Sequence, residues 1–163
     1  MTVLRARDGR IIERTDFGEY IQSFQLGERF APNTVSTAEI AARYLGAYLN
    51  EDIETTAELV SPDVVFQDPT SQVFGPPSGE LYSGAEELLA RRRRIYSSIS
   101  DFTFDVEESF VANHHAVYMG SVRYTIASGA TYEQPAAFVI EVRDGRVSRH
   151  WDFVDYTVGP VGS

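Results

Sequence analysis

No cysteine occurs in the 163 residues, which removes disulfide staples, thiolate nucleophiles and cysteine-ligated metals together. No apolar run approaches the ~18 residues of a membrane span. The start, Met1-Thr2-Val3-Leu4-Arg5, lacks the apolar core of a secretory signal. A cytoplasmic protein with no membrane partner is therefore expected. Basic residues are in the minority: 14 Lys and Arg stand against 24 Asp and Glu, a net charge of −10. That balance argues against a nucleic-acid partner, because phosphate binding needs a positive surface. The run Arg91-Arg92-Arg93-Arg94 is the local exception. Four successive helical residues spread over more than a turn, so the run reads as solvated surface offsetting the acidic excess. The chain also lacks a P-loop, a dinucleotide fingerprint and a Gly-x-Ser-x-Gly elbow, which excludes the commonest kinase, dehydrogenase and hydrolase readings.

What remains is 43% apolar and 12% aromatic, a composition that folds rather than stays disordered. The length fits one domain able to bury roughly two-thirds of its unfolded surface. Residues 1–35 read as an N-terminal extension: Asp8-Gly9 between two strand-like runs signals a hairpin, and Phe17, Tyr20, Ile21 and Phe24 follow at partly helical spacing. A lid, a dimer arm or a flexible extension are all open. The main domain, 36–157, begins at the capping box Ser36-Thr37-Ala38-Glu39, with Ile40, Tyr44 and Tyr48 on one helical stripe. A second helix runs from about Ile53 to Val60, and Val64-Val65-Phe66 reads as a strand ending at Asp68-Pro69. A loop rich in Pro, Gly and Ser fills Pro69 to Ser83, and a third helix starts at Ser83-Gly84-Ala85-Glu86. Four strands follow, and 158–163 form a tail. Helices followed by a run of antiparallel strands predict an α+β domain. Strands long enough to wrap a helix must bend.

On the last strand, Ser148, His150, Asp152, Val154 and Tyr156 share one face; Arg149, Trp151, Phe153 and Asp155 share the other. Both faces mix apolar and polar groups, so alternation does not say which faces the helices. The uncovered apolar set predicts a homodimer through the outer sheet face.

The element order and the ending Gly145-Arg146-Val147-Ser148-Arg149-His150-Trp151-Asp152-Phe153-Val154-Asp155-Tyr156 resemble the NTF2-like superfamily, especially its SnoaL-like polyketide-cyclase branch. The resemblance covers about residues 37 to 156. It implies a cone of three N-terminal helices against a strongly curved, mostly antiparallel sheet. By similarity to the SnoaL-like cyclases, Asp152 falls on their acid–base aspartate. Similarity to limonene epoxide hydrolase again puts Asp152 on a catalytic aspartate, but that enzyme's Arg-x-Asp pair falls on Met119 and Ser121. Similarity to ketosteroid isomerase, from Ala42-Arg43-Tyr44 through Asp68-Pro69, puts Tyr44 on the oxyanion-binding tyrosine and Asp68 on the proton-shuttling aspartate. Phe138 replaces the second oxyanion donor.

The register implied by the resemblance gathers Tyr44, Asp68, Met119, Ser121, Arg123, Gln134, Ala136, Phe138, His150 and Asp152 into one pocket. Asp152, Asp68 and Tyr44 are the catalytic candidates. Arg123, His150, Ser121, Met119, Gln134 and Phe138 are the substrate-binding candidates. Apolar surroundings raise a carboxylate's pKa toward the working range of a proton shuttle, while a tyrosine or arginine aimed at a carbonyl stabilises an enolate. The expected function is a cofactor-independent isomerase or cyclase acting on a small apolar carbonyl-bearing or polycyclic compound. An epoxide hydrolase and a non-catalytic ligand-binding module are the rivals. His150 and Asp152 could share a metal, but no third ligand is evident, so neither metal nor cofactor is expected. Each candidate also has a plain structural role. Asp152 could pair with His150 or Arg123, Asp68 could cap a turn, Tyr44 could pack, and Arg123 would point outward if the register slipped by one.

Overall fold

The computed structural model describes residues 2–7, 10–16 and 31–162, with side chains from Val35 onward. The hairpin signalled by Asp8-Gly9 is present: β1 (Thr2–Arg7) pairs antiparallel with β2 (Arg10–Asp16). The aromatic run Phe17–Phe24 lies outside the described residues.

Helix α1 (Ala31–Leu49) begins well before the expected capping box, and Ser36-x-x-Glu39 falls in its second turn. Pro32 sits in the first turn, where its missing N–H costs no helical bond. The stripe behaves as read: Ala41, Tyr44, Leu45 and Tyr48 are buried. The short α2 (Ile53–Leu59) is capped by Asp52, whose side chain accepts from Thr55 N at 2.9 Å. It runs directly into β3 (Val60–Asp68).

The segment read as an uninterrupted loop contains a 3-10 turn, Pro69–Val73, and a four-residue edge strand, β4 (Glu80–Ser83). It is too short to show period-two patterning in a stretch dominated by Pro and Gly. Helix α3 (Ala85–Tyr96) starts one residue later than the predicted box: Gly84, at φ +95°, is its N-cap, and Glu87 Oε2 accepts from Ser83 N at 3.0 Å. Four long strands complete the chain: β5 (Ile99–Ala112), β6 (His115–Ile126), β7 (Thr131–Arg143) and β8 (Arg146–Val154).

The six-stranded sheet has the order β4-β3-β8-β7-β6-β5. All its pairings are antiparallel except β3 with β8, which is parallel. Bulges in β5, between Ser100 and Thr103 and between Val106 and Glu108, bend that strand. Beside the second bulge, Gly120 of β6 comes so close to β5 that a Cβ would sit 1.9 Å from Asp105 O. The concave face carries Phe66, Phe104, Val122, Phe138, Ile140 and Val154, packed with Tyr44, Tyr48 and Leu88 from the helices. Phe138 lies opposite Asp152, and Ile140 opposite His150. His150, Asp152 and Val154 therefore face the helices, which settles the orientation of the last strand. On the convex face, Val117 and Val139 are covered by Met119, Trp151 and Phe153.

Candidate active site

Asp68 sits where β3 ends, and the local chain is built around its carboxylate. Oδ1 accepts from Thr70 N at 3.0 Å, Ser71 N at 3.0 Å and Thr70 Oγ1 at 2.6 Å, so it caps the turn that follows. Oδ2 accepts from Tyr156 OH at 2.6 Å. Behind it, Gly79 (φ +73°) lies so close that a Cβ would be 2.1 Å from Asp68 O. Burial and the neighbouring Asp152 charge push the Asp68 carboxyl upward, with Thr70 and Tyr156 pulling partly back. The turn-capping role and a place in the cavity wall coexist.

Asp152 stands beside Asp68 on the neighbouring strand: β8 pairs parallel with β3, Trp151 opposite Gln67. Asp152 Oδ1 lies 2.8 Å from His150 Nε2. The contact is off the hydrogen-bond direction, and neither atom has another partner; it is an ion pair when His150 carries its second proton. His150 Nδ1 is 2.9 Å from Tyr44 OH, and Tyr48 OH donates a long 3.4 Å bond to Asp152 Oδ2. Burial opposes charge on Asp152, but His150, Arg91 and Arg92 outweigh it and hold the carboxyl below its ordinary range. Burial also raises both tyrosines, Tyr44 well above its ordinary value and Tyr48 to about 12, so both hydroxyls stay protonated donors at neutral pH.

The arginine run corrects the sequence reading most. Arg91 is 5% exposed and Arg92 2% exposed; they are not solvated surface. Leu88, Arg91 and Arg92 recur at helical spacing on the inward face of α3, which was the available signal. Arg91 Nε donates to Glu80 Oε2 at 2.8 Å, Nη1 donates to Tyr48 OH at 3.3 Å, and the guanidinium lies 4.0 Å over the Phe66 ring. Burial works against its charge, but Tyr48, Asp152 and Glu80 more than compensate. Arg92 stacks 3.4 Å over the Tyr48 ring and donates to Tyr48 O at 2.6 Å. Tyr96 OH joins the same knot, bonding Arg92 and Tyr48 O.

These groups surround a cavity of about 180 Å³. Asp68, Asp152, Glu80, Arg91, Arg92, Ser71, Tyr48, Tyr124 and Tyr156 supply its polar groups, and Ile95, Ile99, Phe102, Val122, Phe138 and Val154 form much of its apolar wall. Of the predicted site, Asp68, Asp152 and Phe138 line this cavity. Tyr44 and His150 lie behind it, fully buried, and reach it through Asp152. Gln134 faces inward but is occupied, accepting from Tyr124 OH at 2.9 Å and donating to Val158 O at 3.0 Å.

Met119, Ser121 and Arg123 are not in the cavity. Strand β6 pairs with β7 without a shift, Val122 opposite Gln134 and Tyr118 opposite Phe138, so Val122 and Tyr124 take the inward positions. The implied register was one residue off on this strand, and one residue reverses every side chain. Met119 packs on the convex face, and Arg123 pairs with exposed Glu133 at 3.3 Å. Tyr48, Glu80, Arg91, Arg92 and Tyr156 are the residues the sequence reading left out of the site. No cluster of three His, Asp or Glu suited to a metal occurs among the described residues.

The fold and cavity define an NTF2-like α+β cone. The SnoaL-like domain matches residues 41–150, and the chain belongs to that family. Among solved structures, a Shewanella denitrificans OS-217 protein assigned as a SnoaL-like polyketide cyclase is 19% identical over 75% of this chain and 92% of its own, with TM-score 0.67. A Kribbella flavida DSM 17836 protein assigned as a ketosteroid isomerase is 23% identical, covering 80% of this chain and 86% of its own, with TM-score 0.61. An M. tuberculosis LEH-like epoxide hydrolase is 18% identical over 78% of this chain and 89% of its own, with TM-score 0.63. No curated protein matches the sequence.

Proposed function

We propose that this chain is a cofactor-independent acid–base enzyme, an isomerase or cyclase, acting on a small apolar carbonyl-bearing or polycyclic compound. One observation carries the reading: two buried carboxylates, Asp152 and Asp68, line the same largely apolar cavity. Their environments push them in opposite directions, Asp152 down and Asp68 up, which suits Asp152 to act as the base and makes Asp68 the more readily protonated of the pair. Asp152, ionised, takes a proton from the carbon next to the carbonyl, and the bonding pair moves onto the carbonyl oxygen. The proton returns at a second carbon, from Asp152 or from Asp68. Tyr48 replaces Tyr44 as the tyrosine facing substrate, and Tyr44 acts through His150 to position Asp152.

Asp152→Asn is expected to lower turnover of an identified substrate by about 10²–10⁴-fold, and Asp68→Asn to lower it less. Full turnover in both variants would sink the reading. The epoxide-hydrolase alternative predicts labelled water oxygen in a diol product, which isomerisation forbids. The binding-module alternative draws support from the partners already fixed on both carboxylates; it predicts saturable binding with no conversion of the ligand.

A further inference from the structure

We infer that Arg91 is the oxyanion-binding group of this cavity and that Glu80 sets the angle at which it acts. On this assignment, the carbonyl oxygen of a neutral substrate docks against the guanidinium beside the Tyr48 hydroxyl. The inference rests on the acid–base reading above and adds to it the group that stabilises the negative charge.

Helix α3 delivers the Arg91 cation to the cavity wall, and three contacts fix its plane: Glu80 on Nε, Tyr48 on Nη1 and the Phe66 ring against its face. A guanidinium has five N–H donors. Two are used in those bonds, so 5 − 2 = 3 remain without a hydrogen-bond partner among the described residues. The bonds around Tyr48 OH are long, 3.3 Å from Arg91 and 3.4 Å to Asp152, so a ligand oxygen can compete for the same hydrogens. A held cation that lines the cavity and has spare donors is the kind of group that stabilises a developing oxyanion.

The charge balance makes that stabilisation selective. The ionised Asp152 and Glu80 offset Arg91 and Arg92 around the cavity, so no net positive charge is left to hold an anion in the ground state. When Asp152 accepts the substrate proton, its charge disappears as the oxyanion forms. Arg91 then acts on the enolate with one opposing charge fewer. The interaction is stronger in the intermediate than in the substrate complex, the condition under which binding accelerates a reaction. Glu80 is a positioning residue here: it touches Arg91, and loosening it leaves the cation present but free to turn.

The test uses 4-nitrophenol, whose phenolate is coloured and presents one anionic oxygen on a flat apolar body. Asp152→Asn stands in for the protonated base and should bind the phenolate about tenfold or more tighter than wild type. Adding Arg91→Met should weaken phenolate binding on the order of ten- to a hundredfold. Adding Arg91→Lys, or Glu80→Asp, which keeps the charge but withdraws the carboxylate from Arg91 Nε, should weaken it less. Neutral 4-nitroanisole should bind all these variants within about threefold, showing that the cavity is intact. If Arg91→Met does not fold, the lysine and aspartate variants carry the test. Phenolate affinity unchanged by all of them would overturn the Arg91 assignment whatever turnover shows. Conversely, turnover surviving in Asp152→Asn would defeat the acid–base reading and leave the phenolate result standing.

Discussion

Two opposed influences act on the carboxyl of Asp152: burial, which disfavours its charge, and three nearby basic side chains, which favour it. The favourable side wins, so Asp152 is ionised throughout the neutral range and available as a base. A base works only when ionised, and its folded pKa lies below the ordinary 3.8. The acidic limb of kcat/KM should therefore fall below that value. His150→Phe removes the largest of the lowering influences, so the limb should move to higher pH; a profile identical to wild type would show that His150 does not tune Asp152. Tyr44→Phe removes only the 2.9 Å contact to His150. It should cost about 1 kcal/mol of stability and produce a smaller shift of the limb in the same direction. At this scale the sequence was partly legible. Asp68 and Asp152 could be placed because each ends or occupies a recognisable strand. Arg91 and Arg92 could not, because four adjacent arginines look like solvent-facing charge until the inward stripe of α3 is known.

The elements explain which parts of the site could be foreseen. Strands β7 and β8 pair with Phe138 opposite Asp152, and it is this pairing, not the alternation of β8, that fixes the inward face of the last strand. Strand β6 alternates apolar residues on both faces, Val117 and Met119 outward against Val122 and Tyr124 inward, so its face was not readable from pattern alone. The bulge in β5 leaves the β6–β7 register untouched but forces Gly120 against the neighbouring backbone. Gly120→Ala should therefore destabilise the fold by about 3 kcal/mol or more, since the clash is with a carbonyl oxygen that cannot rotate away. Gly46 of α1 has open space where a methyl group would sit, with nothing within 4 Å, and Gly46→Ala should stabilise by about 0.5–1 kcal/mol. Urea unfolding midpoints at unchanged slope measure both. Equal midpoints for the two variants would contradict this packing account.

At the scale of the molecule, the helices close one side of the sheet, and on the other a partly buried apolar patch of Met119, Trp151 and Phe153 lies over Val117 and Val139. We propose that a second copy of the chain covers it. Sedimentation should then give a dimer for the wild type, and Met119→Glu or Phe153→Glu should give a folded monomer. A wild-type monomer at micromolar concentration would refute that arrangement. No helix among the described residues is long and apolar enough to cross a membrane. The order of helices and long strands was legible as an α+β domain because those elements have their own periodicity, and the cone was what the family resemblance implied. The cavity chemistry was less so, since it depends on α3, β4 and β8 meeting across long sequence separations.

Proton abstraction by Asp152 within this cavity is read out by deuterium incorporation: small cyclic ketones and enones are incubated with the protein in heavy water, and exchange at the carbon beside the carbonyl is followed by mass spectrometry. Abstraction by Asp152 requires protein-dependent exchange with the wild type and a loss of about 10²-fold or more in folded Asp152→Asn. Exchange that proceeds equally in wild type and Asp152→Asn would contradict it.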